Sequence, residues 1–248
     1  MSVLLLRLTA PLQSWGCGSR YETRQTNMEA TKSGVIGLVA NALGREREDD
    51  ISDLTALKFG VRVEQAGKVL RDYHTASKWE HGIRKGNATI TTRYYLQDAV
   101  FLVGLECDDE DFLKNLEYAL LHPCRILYLG RRSCPVMPGF VLGVKQGSLM
   151  DVLQAEVWQP ASWYQVRQER LGNIPEVFLY VESAKSSETI AQMDNPTTFD
   201  FYHRGWTARH VLVKKLMWTD QQGFQPCETL LDVKDIKNVD FLDNVLFD

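Results

Sequence analysis

An apolar helical stretch set between short β-type runs most constrains the fold of this chain. In residues 31–43, Val35, Ile36, Leu38, Val39, Ala42 and Leu43 recur at helical spacing, and Gly44 follows where a C′ glycine belongs. On either side, residues 3–9, 59–64 and 69–73 are rich in strand formers, the last two separated by a turn at Ala66-Gly67. Residues 99–107 read as a buried strand. Asp108 and Asp109 then offer N-caps to a helix that carries Phe112, Leu113, Leu116 and Leu120 and ends at Pro123. Residues 125–129 and 140–144 are expected as short strands. The order strand-helix-strand-strand-helix-strand over residues 3–144 predicts an α+β chain with a ferredoxin-like core, a plan also used by RNA-recognition domains.

Residues 74–95 interrupt this plan. They are polar, basic and aromatic, with turn positions at Gly82 and Gly86-Asn87, and are expected to form an inserted β-hairpin reaching out from the core. Beyond residue 157 a smaller β-rich part is expected, with strands at 177–182, 198–202 and 209–217, residues 158–173 as a loose boundary, and an acidic tail from residue 228.

Charge is segregated. The formal net charge is −4, yet residues 228–248 account for all of it, with six acids and two lysines. Excess basic residues gather in residues 20–32, 78–93, 125–145 and 204–215, so a basic groove is compatible with an acidic total. The five cysteines form no Cys-x-x-Cys pair and no zinc pattern, and read as reduced thiols. No apolar run approaches the ~20 residues that span a bilayer, and the amino terminus reads as a strand rather than a signal peptide. The expectation is a cytoplasmic protein with no membrane partner, no metal and no cofactor.

Three segments carry candidate chemistry. Gly130-Arg131-Arg132-Ser133 lies in a stretch free of acidic residues from Tyr118 to Met150; backbone N–H groups, guanidinium forks and a hydroxyl there can converge on a phosphate. Thr31-Lys32-Ser33-Gly34 opens a helix, another place that favours phosphate, without Walker-loop spacing. In the hairpin, Lys78, Trp79, His81, Arg84, Lys85, Arg93, Tyr94 and Tyr95 interleave cations with rings, as suits a nucleic-acid strand. Read alone, the first fits an ordinary solvated loop better, while the second fits a simply capped helix and the third a solvated hairpin equally well. Tyr73, His74 and Lys78 could form an acid–base set for RNA cleavage, but successive residues of a strand face opposite ways, which favours a non-catalytic reading.

Taken in order, Leu6-Arg7-Leu8, Pro11, Gln13 and Trp15-Gly16, then Thr31-Lys32-Ser33-Gly34-Val35-Ile36-Gly37-Leu38, Leu70-Arg71-Asp72-Tyr73-His74-Thr75, Arg93, Tyr95-Leu96, Asp98-Ala99 and Phe101, and Tyr128-Leu129-Gly130-Arg131-Arg132-Ser133-Cys134-Pro135, resemble the CasD-type subunits of type I-E CRISPR Cascade complexes. The resemblance implies a ferredoxin-like core that holds the 5′ handle of the CRISPR RNA. It implies a thumb packed against the backbone subunit, the large PAM-reading subunit nearby, and target DNA met only indirectly. A sister branch from type I-C systems cuts precursor RNA; the branch resembled here leaves cutting to another subunit, so a metal-independent endoribonuclease is the alternative. The expected RNA-contacting residues are Gln13, Trp15, Arg20, Arg24, Lys32, Ser33, Arg71, His74, Lys78, Arg84, Lys85, Arg93, Arg131, Arg132, Ser133 and Arg209.

Overall fold

A computed structural model describes residues 1–16, 22–173, 176–219 and 223–226. In chain order the elements are β1 (Ser2–Thr9), β2 (Leu12–Gln13), β3 (Thr23–Arg24), α1 (Lys32–Ala42), α2 (Ser52–Thr55), β4 (Lys58–Gln65), β5 (Lys68–Glu80), β6 (Ile83–Gln97), β7 (Val100–Cys107), α3 (Glu110–Leu121), β8 (Val141–Gln146), α4 (Leu149–Ala155), α5 (Ser162–Leu171), β9 (Glu176–Glu182), β10 (Thr189–Thr198), β11 (Gly205–Thr219) and β12 (Gly223–Pro226). The architecture is mixed α+β, mostly antiparallel sheet with few helices.

The main sheet has the order β10-β11-β9-β4-β7-β1-β8, with β12 paired to β11. Its central strands are buried on both faces, which explains their unbroken apolar runs. Leu4, Leu6 and Leu8 of β1 point to one core, with Phe101, Val103 and Leu105 of β7 and the apolar faces of α1 and α3. Val3 and Leu5 point to the other, with Leu102 and with Leu149, Val152 and Leu153 of α4. That second face is cut to fit. Gly60 and Gly104 are register partners, and a Cβ on Gly104 would stand 2.5 Å from Leu149 Cδ1.

Helix ends follow local chemistry. Asp109 accepts from the Phe112 N–H at 3.0 Å. After α1, Gly44 takes φ +77° and donates to Asn41, while Arg45 N–H donates to Ala40, a Schellman closure that satisfies two orphan carbonyls.

The predicted hairpin forms and is longer than expected. β5 and β6 pair from Lys68↔Gln97 to Glu80↔Ile83. The turn is His81-Gly82, both at positive φ, as a type I′ hairpin requires. Gly86, expected as a turn residue, falls instead where the register shifts, making a bulge. The hairpin's base joins β2 and β3 in a second, four-stranded sheet.

Some expectations are corrected. β4 and β5 do not pair; they belong to different sheets, because β4 is buried on both faces whereas β5 is largely exposed. Residues 125–129 form only an isolated bridge, Tyr128↔Pro135, since Leu127 and Leu129 turn into the core while Ile126 stays outside. Residues 199–203 are a turn; the strand precedes them as β10, whose Asp194, Asn195 and Pro196 are weak β formers tolerated at a sheet edge. Helix α5 occupies the stretch read as a boundary. It buries no residue, so it lacks an apolar face for sequence to reveal. β9 pairs with β4, so the main sheet continues past residue 157.

Candidate nucleic-acid interface

Helix α1 forms the floor of a groove. Its cap is Thr31, whose Oγ1 accepts from the Gly34 N–H at 3.3 Å. A Cβ at Gly34 would lie 2.7 Å from the Trp15 ring, and one at Gly37 would lie 3.5 Å from Phe199. Two segments from distant parts of the chain therefore reach the floor within one helical turn of each other.

The Gly130–Ser133 loop forms one wall. Leu129 N–H donates to Cys134 at 2.7 Å and Cys134 N–H to Arg131 at 2.9 Å, closing the loop; Ser14 N–H donates to Leu129 at 3.2 Å, tying it to the amino-terminal segment. Arg131 staples the loop to the thumb's base. Its Nη1 donates to the Tyr94 carbonyl and its Nη2 to the Arg24 carbonyl, both at 3.0 Å, and its guanidinium lies 4.5 Å from the Tyr95 ring centre. Arg132 and Ser133 are exposed, with Ser133 Oγ 3.5 Å from Tyr95 OH. Cys134 is buried, and burial pushes its thiol above the usual range, an inert thiol.

The groove has a volume of about 720 Å³. Arg24, Arg131 and Arg132, three of the residues proposed from sequence to contact RNA, line it; so do Arg45, Arg47, Arg125 and Arg204, against two acids, Glu46 and Glu48. Arg45 is held by Asp53 and Arg125 by Glu46. A concave surface so rich in guanidinium suits a polyanionic strand. Among the described residues no group of three or more His, Cys, Asp or Glu is placed to hold a metal ion, and no helix is long and apolar enough to cross a membrane.

The sequence model of the CRISPR-associated protein (Cas_Cas5) family matches residues 3–213. The chain belongs to this family. It is 38% identical over 164 residues to the CRISPR system Cascade subunit CasD of Escherichia coli (strain K12), an alignment covering 59% of this chain and 73% of that protein. Among solved structures it resembles a chain of a CRISPR RNA-guided surveillance complex, with a TM-score of 0.71, 29% identity, and 95% of this chain and 96% of that one covered. It also resembles a structure described as a Cas protein, with a TM-score of 0.61, 32% identity, and 89% and 97% covered.

Several residues expected at the surface of this Cas5 chain are spent inside it. Gln13 is fully buried; its Nε2 donates to Ala99 at 2.7 Å and its Oε1 accepts from Trp15 Nε1 at 2.9 Å. Trp15 is 1% exposed and packs edge-on against Phe101, so it supports the floor and offers no ring to a base. Lys32 is 1% exposed: its ammonium pairs with Glu182 at 2.9 Å, and its N–H donates to Asp194 at 2.8 Å. Burial lowers the Lys32 pKa and Glu182 pulls it back up. Arg209 is buried in a pair with Asp194 at 2.6 Å, its guanidinium 5.0 Å from the Phe59 ring centre. Gln13, Lys32 and Arg209 each have a polar partner that their own neighbourhood in sequence does not announce.

Of the others, Ser33 lines the groove but is nearly buried. Arg71, His74, Lys78, Arg84 and Lys85 are exposed along the thumb, away from the groove lining. His74 pairs with Asp72 and Lys78 with Glu80 at 2.7 Å. Arg93 lies at the thumb's base with Nε buried and unpartnered among the described residues. Arg20 lies outside the described residues, as does the acidic tail. Arg45 and Arg47 are not anticipated from sequence, and Arg125 and Arg204 stand there only as the starts of basic stretches, not as expected contacts. The first two sit beside an acidic cluster, Glu46 to Asp50, that masked them.

The ionic cluster joining α1 to β10 and β11 has a pH consequence. Glu29, half-buried, accepts from Gln192 Nε2 at 2.9 Å, and burial, followed by the Asp194 charge, raises its pKa from 4.5 to about 7. Between those values the folded chain keeps a proton that the unfolded chain has released, so stability falls as pH rises from 4.5 to about 7. Glu29→Gln is expected to be more stable than the parent at pH 8, by on the order of 2 kcal/mol, and equal to it near pH 4.5. Urea unfolding of both proteins across this range checks it; parallel pH profiles would contradict it.

Proposed function

We propose that this chain is the RNA-holding subunit of a Cascade-type CRISPR complex, gripping the 5′ handle of the CRISPR RNA in the α1 groove without cutting it. The arginine-lined groove carries the reading, supported by kinship to the Cascade subunit CasD and to a chain of an RNA-guided surveillance complex. Arg24 and Arg132 contact phosphate, Arg131 and Ser133 shape the loop, and Arg93 sits at the thumb's base. Arg71, His74, Lys78, Arg84 and Lys85 place the thumb between RNA and the adjacent backbone subunit, with the large PAM-reading subunit beside it and target DNA reached through those partners. Residues 1–157 form a ferredoxin-like core with its thumb, a reading supported by the adjacent order β4-β7-β1-β8 with α1 and α3 on one face. Residues 158–248 form the closing β-rich part.

The non-catalytic reading rests on geometry. His74 and Asp72 pair on one face of β5, Tyr73 takes the other, and the Lys78 ammonium is engaged by Glu80, so Tyr73, His74 and Lys78 do not converge as an acid–base set.

Arg24→Ala combined with Arg132→Ala tests the assignment, because both side chains are exposed and their loss spares the fold. Co-expressed with other Cascade subunits, the double variant is expected to retain CRISPR RNA about tenfold less well and with a shallower salt dependence, at unchanged melting temperature. Undiminished RNA in the purified complex would refute the assignment, as would metal-free cleavage of repeat RNA by the parent protein.

A further inference from the structure

Arginines that meet phosphate account for affinity, and such contacts do not fix individual bases, since every nucleotide carries the same phosphate. The other wall differs in chemistry. It comes from the β10–β11 hairpin, where Phe199, Arg204 and Trp206 line the groove. Phe199, partly buried, packs against the core and on α1 at Gly37, so it anchors the hairpin to the floor. Trp206 is only half-buried, and it stands on a paired strand, opposite Pro196 in the register, which holds it on a rigid element. The turn between the strands is pinned by Asp200, whose Oδ1 accepts from Tyr202 N–H at 2.6 Å and His203 N–H at 2.9 Å.

We propose that Trp206 is a base-stacking platform: one unpaired base of the bound strand lies on its indole while neighbouring phosphates lie on the arginine wall. This rests on the groove reading above and adds to it a requirement for single-stranded nucleic acid with an intact base at one position. A half-exposed indole beside guanidinium groups is the combination that single-strand binders use, the ring stacking on a base while the cations meet phosphates. A tryptophan that merely covers a sheet edge would need no ring on the groove side, and the two roles separate by experiment.

The full chain is titrated against a labelled single-stranded RNA of about 10 nucleotides, and against a series with one abasic position each. Trp206→Ala is expected to weaken binding about tenfold and Trp206→Phe by less than about threefold, because phenylalanine keeps a π face. Trp206→Leu keeps apolar volume without a ring and is expected to match Trp206→Ala, which guards against an alanine variant that misfolds. One abasic position should cost the parent about as much as Trp206→Ala does, and cost Trp206→Ala nothing further. Tyr202, 85% exposed on the same hairpin but outside the groove lining, serves as control: Tyr202→Ala should bind as the parent. The proposal fails if Trp206→Ala and Trp206→Leu bind like the parent, or if every abasic loss persists in full in Trp206→Ala. If Arg132→Ala weakens binding while the Trp206 variants do not, only the stacking role falls. If the parent binds no RNA, the groove reading falls and takes this one with it.

Discussion

Gly130→Ala is expected to lower the stability of this protein by about 4 kcal/mol and its melting temperature by about 10 °C, and to abolish RNA retention. Gly130 has φ +80°, and an alanine Cβ there would stand 1.6 Å from the Ser14 carbonyl oxygen and 2.8 Å from its carbon. The obstruction is backbone, so no rotamer relieves it. Nor can the two segments separate cheaply, because Ser14 N–H is bonded to Leu129 and the next residue, Arg131, is bonded to the Tyr94 and Arg24 carbonyls. Moving Gly130 outward breaks that set and pulls Arg132 off the groove. Gly139 is the control: it too has positive φ, +74°, but nothing lies within 4 Å of its Cβ position, so Gly139→Ala carries only conformational strain, about 1 kcal/mol. Thermal unfolding of the three proteins decides the matter. A Gly130→Ala protein that melts within about 2 °C of the parent would show that the loop does not depend on this contact.

Arg62→Ala is expected to cost about 3–5 kcal/mol in urea unfolding, with the unfolding slope unchanged. Arg62 is fully buried on β4 and pairs with Glu64, also buried. Its remaining donors reach the carbonyls of Leu153 at 2.6 Å, Glu156 at 2.7 Å and Val157 at 2.8 Å, fastening the end of α4 to the sheet. Glu64 in turn accepts from Gln159 N–H at 2.7 Å. Burial raises the Glu64 pKa, and Arg62 is the main opposing influence; without it the carboxyl is left buried with its nearest counter-charge gone. Arg62→Lys should rescue little, because a single ammonium cannot reproduce the guanidinium fork across these acceptors. Removing both charges as Arg62→Met with Glu64→Met should recover only part of the loss, since the three carbonyls stay without donors. A loss below about 1 kcal/mol for Arg62→Ala would mean that water replaces the network.

The elements of the core were largely legible because they are locally determined. β1 and β7 show as unbroken apolar runs, α1 and α3 carry their caps and C-terminal signals next to their apolar faces, and the Gly130–Ser133 loop declares its turn and charge within four residues. The thumb was visible as a change of composition, though not its length, since pairing at its base depends on β2 and β3. α5 escaped for want of an apolar face, and β10 because edge position outweighs the poor β propensity of Asp194 to Pro196.

The candidate site divides along the same line. That arginine and glycine meet in a loop, that a helix begins at residue 31, and that basic and aromatic residues alternate in a hairpin all follow from the order of residues, because each is a matter of adjacent residues and backbone preference. Only the tertiary structure decided which cations face outward. Lys32 finds Glu182 and Asp194, 150 and 162 residues away, and Arg209 finds Asp194 from a neighbouring strand, so both are neutralised in the interior. Arg45 and Arg47, set among acids in the chain, come together around α1 with Arg125 and Arg204 from two separate basic stretches. A buried charge must be paired, and its partner is chosen by the packing of sheets and helices, whose contacts join residues that sequence order keeps far apart.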